Sequence, residues 1–264
     1  MVLAFGKYLG NDKLVQDLLH YRLTLNLYDS HEKLPKHCHE YPYLSVAIKG
    51  YYQELTDMKG IPPSIVDQRS ILYRPAGYVH SNEFNKMGGA CFNIEFKDQS
   101  FLKSIFPFHQ EVVVIPNNLD VTRIFYSFLN NESTAVLELH IQELLVGLTK
   151  SVYVQNHSSI AKKAAHYIEE HADQAFSLSE IGSQLQVHPV YLSRAFKKTY
   201  SKTIGEYLSQ VRLRNAFYGL GNQEKLTTLA YSKGFYDQSH FIRSFQKEFG
   251  TSPGAARKEL SRLI

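Results

Sequence analysis

The sequence predicts a multidomain protein in which a small all-β barrel with attached helices is followed by an all-α domain. Short β-like runs separated by turn residues fill roughly the first 115 residues, and helical periodicity replaces them after Pro116. The last hundred residues contain two related helix-turn-helix patterns joined by one longer helix. At 264 residues the chain also exceeds the roughly 100–200 residues of an average domain.

Composition and charge narrow the class of protein. With 44% hydrophobic and 20% charged residues, the chain has the composition of a globular protein. Residues 1–157 carry 14 basic and 16 acidic side chains, a net charge of −2, whereas residues 158–264 carry 15 and 9, a net charge of +6. A basic C-terminal part favours a polyanionic partner. The alternative is a basic surface that is only solvated.

The cysteine content and the N-terminus bear on location. Cys38 and Cys91 are too few for a disulfide framework. No apolar segment of signal-peptide type follows Met1, and no apolar run approaches the roughly 20 residues of a membrane span. We therefore expect a cytoplasmic protein with reduced thiols and no membrane contact.

The predicted β domain, residues 1–115, consists of short runs bounded by Gly, Pro and Asn. Residues 21–28 alternate apolar and polar side chains, as a half-buried strand does. The further runs are residues 43–50, which end at a glycine, and residues 51–56, 70–74 and 91–96. Many short strands at this spacing indicate an antiparallel sandwich or a small barrel.

Two histidine motifs lie within these strands. His37-Cys38-His39 is followed about 40 residues later by Pro75-Ala76-Gly77-Tyr78-Val79-His80. On an extended strand His37 and His39 point to the same side. The two motifs resemble the cupin signature over about 60 residues. The carboxylate that cupins supply after the second histidine is missing, because Tyr43 and Leu44 stand there.

The cupin resemblance implies a ligand site and leaves its chemistry open. His37, His39 and His80, with Glu54 or Glu95 replacing the missing carboxylate, could hold Zn, Fe, Mn or Ni. Alternatively, the same histidines and carboxylates line a pocket for a polar small-molecule effector without a metal. Apart from this possible divalent metal, the sequence implies no cofactor.

A helical segment, residues 116–157, connects the two predicted domains. Residues 119–129 and 134–154 show helical patterns, and a polar stretch around residues 155–159 has the character of a linker. These helices could pack on the barrel or pair with a second subunit. Spacing alone does not separate the two.

The first helix-turn-helix motif spans about residues 177–200 of the predicted DNA-binding domain, residues 158–264. Ser177-Leu178-Ser179-Glu180 is a capping box that opens a short helix. A brief turn at residues 186–188 leads to Pro189, which suits the first turn of a second helix.

The second motif, at about residues 225–249, repeats the first. Residues 192–200 align with residues 241–249 at an offset of 49, so that Arg194 matches Arg243 and Phe196 matches Phe245. Between the motifs, residues 204–220 predict one linker helix about 25 Å long. Such a connection could place two recognition helices in successive major grooves.

The motifs of this domain resemble the signature of the AraC/XylS family of transcription regulators. The matching residues are Leu213-x-x-Ala216, the run Gly234-Phe235-x-Asp237-Gln238-Ser239-His240-Phe241-x-Arg243-x-Phe245, and Phe249-Gly250-Thr251-Ser252-Pro253. The resemblance covers about 100 residues. It implies a sequence-specific activator, not an enzyme, that is controlled by an effector bound in the cupin-like domain. The implied partners are double-stranded DNA, the effector, a second subunit and RNA polymerase.

The family pattern also implies which side chains meet DNA. In the first motif these are Val190, Tyr191, Ser193, Arg194 and Lys197, and in the second Gln238, Ser239, His240, Ile242 and Arg243. Lys198, Lys202 and Lys247 are expected to contact phosphates. The first turn departs from the family pattern at Gln186, which stands where glycine is usual and would need a left-handed conformation, and at His188, which stands where a capping serine is common.

Two other functions fit the same motifs. One is a metal-dependent cupin enzyme that uses His37, His39 and His80, with the helix-turn-helix domain as a regulatory module. The other is a regulator whose barrel only dimerises and binds no effector.

Overall fold

The computed structural model of the chain describes residues 1–57, 64–106, 110–154 and 159–263. They divide into two compact units. The sheet unit contains residues 1–117 and 127–146, and the helical unit contains residues 118–126 and 147–262.

The strands of the sheet unit are β1 (Val2–Leu3), β2 (Asn11–Asp17), β3 (Tyr21–Tyr28), β4 (Lys33–His39), β5 (Tyr43–Leu55), β6 (Ser64–Val66), β7 (Ser70–Arg74), β8 (His80–Phe96) and β9 (Val113–Pro116). Helix α1 (Gln99–Ile105) lies between β8 and β9. Within the described residues the strands form one sheet, in which β1 pairs with β4 in parallel and the other pairs are antiparallel.

The two longest strands, β5 and β8, organise this sheet. They pair with each other from Tyr43 opposite Glu95 to Leu55 opposite Ser81. One half of β8 pairs with β3 and the other with β4, while β5 pairs with β7 near its start and with β6 near its end. This arrangement places the β4 histidines beside the start of β8.

The predicted strand boundary at Gly50 is wrong. The sequence suggested that residues 43–50 end at the glycine, whereas β5 continues to Leu55 across a register shift. Gly50 has a φ of +71°, and a Cβ there would lie 2.1 Å from the carbonyl oxygen of Gly88. The glycine therefore permits a bulge and a close strand approach instead of a turn. Residues 91–96 are likewise the end of the longer strand β8.

Helices α2 (Leu119–Leu129) and α3 (Thr134–Val154) have the predicted bounds. The buried face of α3 consists of Leu137, Ile141, Leu144, Leu145 and Leu148. The Phe128 ring of α2 lies 5.3 Å from that of Phe92 on β8. The linker predicted around residues 155–159 falls mainly outside the described residues.

The helical unit contains α4 (Ser159–His171), α5 (Leu178–Gln184), α6 (Pro189–Tyr200), α7 (Ile204–Gly219), α8 (Leu226–Ser232), α9 (Gln238–Phe249) and α10 (Pro253–Leu263). The predicted order of a sheet-rich region followed by a helical region with two helix-turn-helix motifs is confirmed. None of the described helices is both long enough and apolar enough to cross a membrane.

Two aromatic and aliphatic cores hold the helical unit together, and α7 contributes to both. The first core is the cluster of Ala161, Ala164, Ala165, Ile168, Ala172, Ile181, Leu192, Phe196 and Val211. In the second core the Phe217 ring of α7 lies 6.3 Å from that of Phe245 and 5.2 Å from that of Phe249. The Tyr207 ring, near the other end of α7, lies 5.4 Å from that of Phe196. The linker helix is therefore a structural part of both motifs.

Candidate nucleic-acid interface and effector cavity

The first motif is α5, a tight turn and α6. Ser177 and Glu180 form the predicted capping box at the start of α5. Gln186 in the turn has a φ of +55°, so the left-handed conformation expected at this position is confirmed. His188 takes the capping role, because its Nδ1 accepts a hydrogen bond from the Val190 amide at 3.2 Å. An imidazole thus replaces the usual serine cap of the recognition helix.

The two faces of α6 differ in chemistry. Leu192 and Phe196 lie four residues apart on one face of the helix, and both are completely buried. The other face carries the predicted DNA-contact residues, of which Val190, Tyr191, Arg194, Lys197 and Lys198 are exposed and Ser193 is half-buried. Val190 and Tyr191 are 49% and 58% exposed at the start of α6, so apolar and aromatic surface is available for contact there. Lys202, just beyond this helix, donates a hydrogen bond to Gln210 at 2.7 Å.

The second motif is α8, a turn and α9. Gly234 in the turn has a φ of +78°, and Asp237 caps α9 by accepting a hydrogen bond from the His240 amide at 2.6 Å. Gly250 ends the helix in a left-handed conformation with a φ of +68°. Both glycines thus adopt the left-handed conformation that glycine accommodates, and Asp237 supplies the helix cap between them.

The exposed face of α9 also carries the predicted contact residues. Ser239, His240, Arg243 and Lys247 are exposed, and Gln238 and Ile242 are half-buried. Thr227 of α8 donates a hydrogen bond to Oε1 of Gln238. Because the oxygen of this amide is held, its NH₂ group is the part of Gln238 left to meet a base edge.

The repeat is visible in the backbone as well as in the sequence. Ser201 and Gly250, 49 residues apart, both end their recognition helices in the left-handed conformation. Thr203 and Ser252, also 49 residues apart, both accept a hydrogen bond from an amide three residues later. The two motifs therefore share an extended unit that includes the start of the following helix.

The linker helix is tied to α4 by a buried ion pair that sequence reasoning missed. Arg214 of α7, which is 1% exposed, donates hydrogen bonds to both carboxylate oxygens of Glu169. The Tyr207 hydroxyl donates a third hydrogen bond to Glu169 at 3.2 Å. Such a pair stabilises only if hydrogen bonds accompany the charge attraction, and here the carboxylate of Glu169 accepts three. In the sequence, the only sign of this ion pair is the presence of an arginine within the predicted linker helix.

In the sheet unit the three predicted histidines come together. His37, His39 and His80 are all buried, and each offers one ring nitrogen within 4.8 Å of the others. Within the described part of the chain, this set of mutually close ligand atoms contains no carboxylate.

Backbone contacts fix how two of these imidazoles are oriented. Nδ1 of His37 donates to the carbonyl oxygen of Pro35 at 2.8 Å, and Nδ1 of His80 donates to that of Tyr78 at 3.1 Å. The lone pair of each ring then lies on Nε2. Nε2 of His80 accepts from the Tyr43 hydroxyl at 3.3 Å. Nδ1 of His39 is buried and finds no partner among the described residues.

Burial keeps the three histidines neutral. It lowers the pKa of His37 and lowers that of His39 to about 3, with the neighbouring His37 and Arg74 acting in the same direction on His39. The pKa of His80 is also lowered, first by burial and then by Arg74. Neutral imidazoles with free lone pairs are the form that binds metal ions.

The two predicted carboxylates lie elsewhere in the same unit. Oε2 of Glu54 accepts hydrogen bonds from Arg74, whose guanidinium also donates to the Tyr52 hydroxyl at 2.8 Å. Oε2 of Glu95 accepts from the Gly6 amide at 2.6 Å. Burial raises the pKa of Glu95 to about 7. Sequence reasoning missed Arg74, which is fully buried and whose only sequence signal is its place at the end of an apolar strand.

A cavity of about 20 Å³ adjoins the histidines. Its lining includes His37, His39, Tyr43 and Arg74. This volume is close to that of one water-sized probe. The cavity therefore has room for a single small species without movement of its walls.

Comparison with known proteins supports the assignment of the helical unit. A family model described as a helix-turn-helix domain matches residues 181–259. The regulatory protein SoxS of Salmonella typhimurium is 30% identical over 106 residues, which are 40% of this chain and 99% of SoxS. The transcriptional activator RhaS of Klebsiella pneumoniae is 29% identical over 139 residues, covering 51% of this chain and 50% of RhaS.

A third relative is the uncharacterized transcriptional regulator YisR of Bacillus subtilis. It is 26% identical over 144 residues, which are 53% of this chain and 50% of YisR. The chain thus spans about half the length of YisR and RhaS, and nearly all of SoxS. With its paired motifs and these relatives, the chain belongs to the AraC family of helix-turn-helix transcription regulators.

Proposed function

We propose that the protein is a sequence-specific DNA-binding regulator of transcription, not an enzyme, which acts in the cytoplasm. The observation that carries this proposal is the pair of recognition helices, each with a buried aromatic face and an exposed face rich in hydrogen-bonding groups. Arginine pairs with guanine and the NH₂ group of glutamine donates to adenine N7, so Arg194, Arg243 and Gln238 are the main candidates for base reading. Lys198 and Lys247 are assigned to phosphates.

Activation is the direction of control that we propose. The relative RhaS is described as a transcriptional activator. We infer from this that RNA polymerase is a partner of this chain. Val190 and Tyr191 are exposed at the start of the first recognition helix, and we assign DNA as their partner.

Selection of bound fragments from random duplex DNA tests the proposal. The wild-type chain is expected to enrich one sequence with two separate conserved blocks, one for each recognition helix. Arg194→Ala and Arg243→Ala should each relax one block and leave the other. Lys86→Ala, which removes an exposed positive charge from the sheet unit, serves as the control and should leave both blocks intact. Recovery of unrelated fragments by the wild-type protein would refute sequence-specific reading.

We further propose that the cupin-like sheet unit binds the effector at His37, His39 and His80. Glu54 and Glu95 lie in the same unit but outside this close set of ligand atoms. A divalent transition metal is the candidate that the geometry favours. Two imidazoles carry their lone pair on Nε2, because Nδ1 donates to a backbone carbonyl, an arrangement common among metal-binding histidines. A metal bound at His80 would displace the Tyr43 hydroxyl from that nitrogen. The orphaned Nδ1 of His39 and the small cavity suit an ion, whereas a larger metabolite requires the walls to move. Three histidines form a ligand set known for zinc.

Metal analysis of protein purified without added metal distinguishes a metal effector from an organic one. A stoichiometric metal is expected in the wild type and should be lost in His37→Ala and in His80→Ala. The control His166→Ala removes an imidazole that is 75% exposed on α4 and should retain the metal. Zinc at a hundred times its dissociation constant should also raise the free energy of unfolding by about 3 kcal/mol. If the wild type contains no metal and zinc does not stabilise it, the metal proposal is wrong and an organic effector is the candidate that remains.

A homodimer is the assembly that we propose. Val136, Leu139 and Val146 of α3 are 37%, 55% and 48% exposed, although the opposite face of this helix is buried. Their spacing of three and seven residues suits pairing with a second helix. Leu139→Lys should lower the mass measured by analytical ultracentrifugation from that of a dimer to that of a monomer. An unchanged dimer would place the interface elsewhere.

A further inference from the structure

Three segments of the helical unit meet at Arg212, in the middle of the linker helix α7. Its Nε donates a hydrogen bond to the carbonyl oxygen of Ala172 at 2.7 Å, and its Nη2 donates to that of Gln174 at 2.8 Å. Both carbonyls follow the end of α4, which is His171. Carbonyl groups at a helix C-terminus lack helical donors and carry partial negative charge. Arg212 bonds one such carbonyl, that of Ala172, and also the Gln174 carbonyl of the following segment, so it attaches α7 specifically to the end of α4.

The turn of the second motif lies against the same attachment. Gly234 has a φ of +78°, and a Cβ there would lie 2.6 Å from the carbonyl oxygen of Ala172 and 2.7 Å from Nε of Arg212. The close approach is possible only for glycine. Since α9 begins at Gln238, four residues later, the position of this turn determines where the second recognition helix starts.

The other side of α4 belongs to the first motif. Its Ala165 and Ile168 pack in one core with Leu192 and Phe196 of α6. The ion pair between Glu169 and Arg214 holds α7 on α4 from a second point. A continuous series of contacts therefore runs from α6 through α4 and Arg212 to the turn before α9.

We propose that Arg212 fixes the distance and the rotation between the two recognition helices, and thereby sets the base-pair spacing that the protein accepts. The inference rests on the proposed reading of DNA by both motifs. One inserted base pair moves the second block by about 3.4 Å and rotates it by about 34° around the duplex. A rigid pair of readers cannot follow that change, whereas a pair released at Arg212 can. Arg212 is in this sense a positioning residue that needs no contact with a base.

The experiment compares the selected duplex with duplexes that carry one base pair more or fewer between the two blocks. For the wild type, each change should weaken binding by about tenfold or more, the size of one lost base contact. Arg212→Met keeps the aliphatic stem and removes both hydrogen bonds. It should bind the original spacing less tightly and discriminate among the three spacings by less than about threefold.

Two further variants and a control complete the test. Arg212→Lys keeps the charge but cannot form the paired bonds, so it should also lose discrimination even where Arg212→Met proves too unstable to purify. Arg262→Met, at an exposed arginine of α10, should bind as the wild type does. Arg243→Ala should weaken all three spacings by the same factor.

The outcomes distinguish this inference from the proposed function. A wild type that tolerates the altered spacings overturns the inference, and so does an Arg212→Lys protein that keeps the wild-type discrimination. If instead the wild type shows no preference for the selected sequence, the reading of DNA by the two motifs itself is wrong.

Discussion

Replacing Glu95 by glutamine should stabilise the sheet unit above neutral pH. Glu95 is completely buried on β8, and burial raises its pKa to about 7 from an ordinary value of 4.5, against the opposing effects of the Gly6 amide and Arg22. At about 1.4 kcal/mol for each pH unit, this difference corresponds to roughly 3 kcal/mol. Between pH 4.5 and 7 the folded state holds a proton that the unfolded state has released, so this residue contributes less to stability as the pH rises. Above pH 7 its contribution stays constant.

Glutamine imitates the neutral acid and keeps a carbonyl oxygen for the Gly6 amide. Glu95→Gln should therefore exceed the wild type in free energy of unfolding by up to about 3 kcal/mol at pH 8, and by little at pH 4.5. Urea denaturation of metal-free protein measures the difference, and amide exchange on peptides from β8 assigns the transition to the sheet unit. Glu83→Gln, on the same strand but half-exposed and paired with Lys33, should change stability by less than about 0.5 kcal/mol. A Glu95→Gln protein that gains nothing at pH 8, or gains equally at both pH values, would refute the reasoning.

The remaining predictions concern the helical unit. Arg243→Ala should weaken binding to the selected duplex by about 1–3 kcal/mol and relax one base preference in a competition assay, whereas an equal loss on every sequence would make Arg243 a phosphate contact. Lys198→Ala should reduce the slope of log affinity against log salt by about 0.9, and an unchanged slope would remove this lysine from the interface. Phe245→Ala should lower the free energy of unfolding by about 3–5 kcal/mol, because the ring is completely buried among Phe217, Phe241 and Phe249. Thermal or denaturant unfolding measures the loss, and a loss below about 1 kcal/mol would contradict that packing. Gln186→Gly should raise the free energy of unfolding by about 1 kcal/mol, since glycine adopts the left-handed conformation without steric strain. A destabilised variant would show that the contacts of the Gln186 side chain outweigh its backbone strain.

The periodicity of apolar residues along the chain was sufficient to predict the helices. The bounds of α2, α3 and α6 agree with their predicted ranges, and α9 ends at Phe249, where the predicted second motif ends, because the apolar residues of each helix recur at helical spacing. The left-handed turn at Gln186 was also predictable, since glycine is usual at this position of the family pattern. These features depend on residues that are near one another in the chain.

Contacts between distant segments were not predictable in the same way. The pairing of β5 with β8 and the bulge at Gly50 depend on the close approach of Gly88, 38 positions away. The buried pair of Arg74 and Glu54 and that of Arg214 and Glu169 join residues 20 and 45 positions apart. No periodic pattern marks such partners, because their pairing is decided by tertiary packing.

The histidine site was predictable in part. The two motifs identified His37, His39 and His80, and the structure brings them together. The backbone carbonyls of Pro35 and Tyr78, which place the lone pairs of two rings on Nε2, could be found only in the folded chain. The orientation of these rings is what gives the metal proposal its physical basis.

The central claim, that the two motifs read DNA by sequence, is tested most directly by one ratio. It is the dissociation constant for a scrambled duplex divided by that for the selected duplex, measured at the same salt concentration. For the wild type we expect a ratio of about 10³ or more, and for the Arg194→Ala/Arg243→Ala double variant a ratio lower by at least about tenfold. A wild-type ratio close to one would contradict the claim, since binding would then depend only on the phosphate backbone.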